Sequence, residues 1–89
     1  MTHPRLAARA RLHHDRHSGE WLLLYPERGL ALNATAVAVV RLLTGEHDVP
    51  AIVERVHATA PTATRAMVER DVRAFLDRLI ERRLVEDAG

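Results

Sequence analysis

The sequence predicts an α+β domain of winged helix-turn-helix-like layout, a three-stranded antiparallel sheet followed by three helices. Three observations carry that reading. Before Asn33 the apolar residues come as short runs with a period near two, and after it the period becomes 3.6. The turn-forming groups His17-Ser18-Gly19 and Pro26-Glu27-Arg28-Gly29 cut the first part of the chain into strand-length pieces. The last third carries one long amphipathic stripe, from Val68 to Ile80.

The strands follow in order. Residues Met1 to Arg9 show no strong pattern and read as a loose arm. Ala10 to Asp15 forms the first strand of the sheet, with Leu12 pointing inward. Glu20 to Tyr25 is the second; its unbroken run Trp21-Leu22-Leu23-Leu24-Tyr25 suits a central strand covered on one face and partly shielded on the other. Pro26 fits the second position of a type I turn because its ring fixes φ near −65°. Gly29 can take the positive φ that returns the chain antiparallel. Gly29 to Leu32 is then a very short third strand at the edge of the sheet.

Asn33 is a good N-cap for the first helix, whose stripe is Ala36, Val37, Val39, Val40 and Leu43, with Gly45 as its C′ stop. Asp48 caps a second helix with Pro50 in its first turn, and Ile52, Val53 and Val56 as its buried face. Pro61 ends that helix and Thr62 starts the third. Val68, Val72, Phe75, Leu76, Leu79 and Ile80 share one face of it. Glu69, Arg73 and Asp77 face solvent in i, i+4 steps worth only ~0.2–0.5 kcal/mol each. Leu84 and Val85 cover the end of the core.

Composition narrows the function classes. Eighty-nine residues make a single domain over 1–89 with a modest core and no room for a deep enclosed active site. There is no cysteine, so disulfides, thiolate zinc sites and cysteine nucleophiles are excluded, and a cytoplasmic location fits. No apolar run approaches the ~18 residues of a membrane span, and no membrane partner is expected. Net charge is +1, which offers no long-range attraction to nucleic acid. All 13 basic residues are arginine, as the codon bias of a GC-rich genome would give.

His13, His14 and His17 lie near Asp15 and Glu20, but strand alternation sends His14 away from His13, and no metal site or cofactor is expected. Ser18, Thr35 and Thr44 sit in no nucleophile or phosphate-loop context, so the protein reads as no enzyme.

The order Trp21-Leu22-Leu23-Leu24-Tyr25-Pro26-Glu27-Arg28-Gly29-Leu30, then Leu32-Asn33-Ala34-Thr35-Ala36, then Asp71-Val72-Arg73-Ala74-Phe75-Leu76, resembles the PqqD family of pyrroloquinoline quinone biosynthesis. The resemblance runs from about Arg5 to Val85. It implies a peptide chaperone, a recognition element for ribosomally made modified peptides, with the precursor peptide of the quinone cofactor as partner. It further implies presentation of that peptide to a radical S-adenosylmethionine enzyme that cross-links a Glu and a Tyr. Two departures concern structural punctuation: Thr44-Gly45 where members often have an acidic residue, and Arg82-Arg83-Leu84 where a glycine is common.

On the residues alone, the short edge strand reads first as a device against aggregation. With the resemblance it reads as a site for strand addition. Gly29, Leu30, Ala31, Leu32 and Asn33 would pair with the guest, and Val68, Asp71, Val72 and Phe75 of the third helix would form the second wall, with Asp71 and Arg78 placed to hold guest side chains of opposite charge. Glu27 and Arg28 at the hairpin tip would meet the modifying enzyme. A winged-helix DNA-binding protein is the alternative, opposed by the Glu69, Asp71, Asp77 and Glu81 interleaved among the helix arginines. A structural dimerisation domain is another; the expected state is a monomer or a strand-swapped homodimer.

Overall fold

A computed structural model describes residues 1–89. In chain order the elements are β1 (Pro4–Leu6), β2 (Arg11–His14), β3 (Trp21–Tyr25), β4 (Arg28–Leu32), α1 (Ala34–Arg41), α2 (Val49–Ala58), α3 (Arg65–Glu81) and β5 (Val85–Asp87). Strands β2, β3 and β4 form an antiparallel three-stranded sheet with β3 in the centre. The three helices pack behind it around one apolar cluster that includes Leu23 from the sheet, Ile52 and Val53 from α2, and Val72, Leu76 and Leu79 from α3. The expected α+β layout is the observed one.

The helix starts follow from side-chain capping. Asn33 accepts the Ala36 amide at 2.8 Å and Asp48 accepts the Ala51 amide at 2.8 Å. The third cap is Thr64, which accepts the Met67 amide at 3.2 Å, so α3 begins after Thr64 and Thr62 lies outside it. Thr and Thr two residues apart are both competent caps, and the apolar stripe does not choose between them. Ile80 also departs from expectation: it stays 42% exposed while Leu79 is fully buried. Of the charge row, Glu69 pairs with Arg73 at 3.0 Å and with Arg65 at 3.1 Å, and Asp77 is not part of it.

Two glycines play other parts than expected. The chain reverses over Pro26 and Glu27, so Gly29 is already inside β4 opposite Leu24 and needs no positive φ. Helix α1 ends at Arg41, and Gly45, at φ +84°, instead donates its amide to Pro4 O at 3.1 Å.

That bond belongs to the largest correction. Residues 1–9 are no loose arm. Strand β1 pairs antiparallel with β5 in register Pro4 to Asp87 and Leu6 to Val85. Leu6 N donates to Leu43 O at 2.9 Å and Ala7 N to Leu84 O at 2.8 Å. Three-residue strands carry no periodic signal, and the partner lies at the other end of the chain.

The helix-to-β5 turn explains the missing glycine. Arg83 takes φ +56°, its amide donates to Ile80 O at 2.9 Å, and Leu84 N donates to Leu79 O at 2.9 Å. This is a Schellman cap with arginine in the left-handed position. The Arg9 guanidinium reaches the same turn, donating to Arg82 O at 3.0 Å and Arg83 O at 3.1 Å.

The arm is held at its tip by Asp87, whose carboxylate accepts the amides of Thr2 at 3.2 Å and His3 at 3.0 Å. Bonds from the His3 and Thr2 amides hold the Asp87 carboxyl below its usual range. A depressed carboxyl pKa contributes stability above the unfolded value and loses it as pH falls through the folded one. Protection of the Thr2 and His3 amides, measured against their intrinsic exchange rates, is therefore expected to fall below about pH 4. In Asp87→Asn those two amides should show no such acid step; a step of unchanged size would mean that Asp87 is not its cause.

Candidate functional site

The phase of the sheet's hydrogen bonds decides which groups the edge offers. Asp15 N donates to Glu20 O at 2.8 Å, which makes this the bonded pair that closes the β2–β3 hairpin. Bonded and non-bonded pairs alternate along an antiparallel ladder. Leu22 and Leu24 therefore turn their main-chain groups toward β2, and Trp21, Leu23 and Tyr25 turn theirs toward β4. Their partners Leu32, Leu30 and Arg28 are the inward-bonded residues of β4. Gly29 and Ala31, lying between them, direct N–H and C=O toward the far side, where no strand of this protein pairs.

Side chains alternate in the same way. Leu30 and Leu32 turn into the protein and pack on the core, while Gly29 and Ala31 are exposed. Glycine at 29 also answers a close approach: a Cβ there would stand 3.3 Å from Leu24 Cδ2.

Beside this edge runs a cleft of about 280 Å³, lined by Ala31, Asn33, Thr35, Ala36, Asp71, Ala74, Phe75 and Arg78. Ala36 and Phe75 are each 7% exposed and form its floor. Asp71, Ala74 and Arg78 are exposed on α3, spaced i, i+3 and i+7, and so stand on one strip of the helix. The cleft thus has an apolar floor, a main-chain wall and a rim bearing one carboxylate and one guanidinium.

Of the residues singled out from sequence, Ala31, Asn33, Asp71, Phe75 and Arg78 come together here. Gly29 opens instead onto a second shallow cavity at the hairpin tip, shared with Glu27 and Arg28. Leu30 and Leu32 support the strand from behind. Val68 and Val72 do not reach the cleft: at 5% and 0% exposure they are spent in the core. The sequence reading missed Thr35, Ala36 and Ala74. For Ala74 a signal existed, since it falls on the strip from Asp71 to Arg78, but alanine announces nothing by its chemistry.

Other charged groups are committed elsewhere. Arg65 is bonded to Glu54 and Glu69, and Arg70 lies 3.7 Å from Asp71. The Arg73 hydrogen bond is the main cause that holds the Glu69 carboxyl below its usual range. In the first hairpin, Asp15 accepts the His17 amide at 2.9 Å and the Ser18 hydroxyl at 3.0 Å, while His14 stacks on Trp21 with ring centroids 4.4 Å apart. No three metal-ligating side chains converge. No helix is long and apolar enough to cross a membrane.

The family model for coenzyme PQQ synthesis protein D matches residues 20–85, from the central strand to the start of β5. The chain belongs to the PqqD family. Among its relatives, the PqqA binding protein of Rhodopseudomonas palustris strain TIE-1 is 39% identical over 85 residues, covering 96% of this chain and 82% of the relative. The PqqA binding protein of Rhizobium meliloti strain 1021 is 39% identical, over 92% and 83% of the two chains.

Solved structures agree. The solution structure of the Methylobacterium extorquens PqqD truncation, described as a stand-alone recognition element for ribosomally made and modified peptides, matches with TM-score 0.77 and 34% identity. It covers 94% of this chain and 88% of the other. TbiB1 in complex with the TbiA(β) leader peptide matches with TM-score 0.73 at 26% identity, over 92% and 94% of the chains.

Proposed function

We propose that this protein is a non-catalytic peptide chaperone of pyrroloquinoline quinone biosynthesis. It captures the ribosomal precursor peptide as an added strand on β4 and presents it to the radical S-adenosylmethionine enzyme that modifies it. The observation that carries the reading is the pair of outward-turned residues Gly29 and Ala31 beside the Phe75-floored cleft, in a chain whose relatives are PqqA binding proteins.

Main-chain bonds from those two residues would supply affinity with little demand on guest sequence, and the cleft would supply selectivity. An apolar guest side chain fits the floor of Ala36 and Phe75, with Ala74 beside it. Asp71 and Arg78 would take polar neighbours of opposite charge.

Duplex binding is disfavoured by the ion pairing of Arg65 and Arg73 with Glu69, which leaves α3 without a continuous basic face. Titration calorimetry with the synthetic precursor peptide is the direct test. Saturable binding is expected at about micromolar to tens of micromolar protein. No heat in that range, with circular dichroism showing a folded protein, would remove the proposal.

A further inference from the structure

We infer that the hairpin end of the β4 edge is a subsite for an acidic side chain of the guest peptide, glutamate by length. The inference deepens the peptide-binding reading and rests on it. Its first ground is position. Arg11, Leu24 and Gly29 stand opposite one another across β2, β3 and β4, on the outward face of the sheet. They line one shallow cavity of about 490 Å³ with Arg9, Tyr25, Pro26, Glu27 and Arg28.

The second ground is charge. Three arginines and one glutamate line that cavity, in a protein whose overall net charge is only +1. Arg9 is engaged with the carbonyls of Arg82 and Arg83. Arg11 and Arg28 take part in no ion pair, unlike the arginines of the N-terminal half of α3. Two uncommitted guanidinium groups beside unpaired main-chain groups are suited to a carboxylate, which each can bind in bidentate fashion.

The third ground is shape. A residue added opposite Gly29 would be in a bonded pair with it and would direct its side chain to the same outward face. Glycine puts no side chain in the way, and Leu24 leans over that space, where a Cβ on residue 29 would stand 3.3 Å from it. The methylenes of a glutamate would lie on Leu24 and carry the carboxylate to Arg11 on that face, with Arg28, whose side chain alternates to the other face, closing the cavity around the hairpin end. An aspartate is too short to cross the leucine. The subsite assigns Arg28 to the guest and leaves Glu27, at the extreme tip, to the modifying enzyme.

The test is calorimetry of the synthetic PqqA precursor peptide with wild type, Arg11→Gln/Arg28→Gln, and Arg16→Gln, a surface control in the other hairpin. At low salt the double variant is expected to bind about five- to tenfold more weakly, the difference shrinking as salt screens it, and the control to match wild type. A lysine scan of the peptide's acidic residues should yield one position that weakens wild type and recovers affinity on Arg11→Glu/Arg28→Glu. Aspartate at that position should bind less well than glutamate.

Wild-type affinity for the double variant at low salt would overturn the subsite while leaving peptide capture intact; no binding by wild type would remove both. A random-sequence duplex retained by wild type and lost by the double variant, with peptide affinity unchanged, would assign the arginines to nucleic acid and overturn it too.

Discussion

Ala31→Pro is expected to fold and to lose precursor binding by about tenfold or more, whereas Leu30→Pro, one residue earlier, is expected to destabilise the fold itself. The difference lies in where each amide points. The Ala31 N–H faces the open edge, so a proline there removes a bond to the guest and puts its ring where the guest strand must approach. One lost bond is worth about 0.5–1.5 kcal/mol, and the ring adds a clash, which together reach the factor of ten set by 1.4 kcal/mol. The Leu30 N–H points to Leu23, and removing it strands a carbonyl in the ladder at about 1–3 kcal/mol before any clash is counted. Thermal melts and calorimetry separate the two effects. Wild-type affinity in a folded Ala31→Pro would refute strand addition at this edge.

Leu23→Ala is expected to cost about 2–5 kcal/mol, out of the ~5–15 kcal/mol that a domain of this kind has in total. At about 4–8 °C per kcal/mol the midpoint should fall by roughly 10 °C or more. Leu23 is fully buried in the central strand and joins the sheet to the helices. Its neighbours Leu22 and Leu24 lie on the opposite face of β3 and are only half-buried. Leu22→Ala should therefore cost well under half as much. Equal losses at 22 and 23 would mean that the pleat is reversed, and with it the assignment of Gly29 and Ala31 to the outer face.

The elements that flank the cleft were legible in the sequence, and the choice of site residues came from the family resemblance. On the residues alone the short strand at Gly29 to Leu32 read as a guard against aggregation, and Phe75 as one member of the apolar stripe. Val68 and Val72 were misassigned to the site because a helical stripe reveals which residues are apolar, not which way the helix is turned. That rotation is set by the core residues packed between α2 and α3, among them Ile52, Val53, Val72 and Leu76. Thr35 and Ala36 were missed because they enter the cleft only when the first turn of α1 stands next to α3.

Local sequence alone determined the period change at Asn33, the caps at Asn33 and Asp48, the order of the three-stranded sheet and the three helices, and the absence of any cysteine chemistry. These depend on residues within one or two turns of each other, whose preferences act before the chain folds. Only the tertiary structure decided that the first residues pair with the last, that Arg83 adopts the left-handed turn braced by Arg9, and that the uncommitted arginines gather at the hairpin tip. Contacts between positions about 80 residues apart leave no periodic trace, because each strand of the pair is too short to carry one and becomes stable only against its partner.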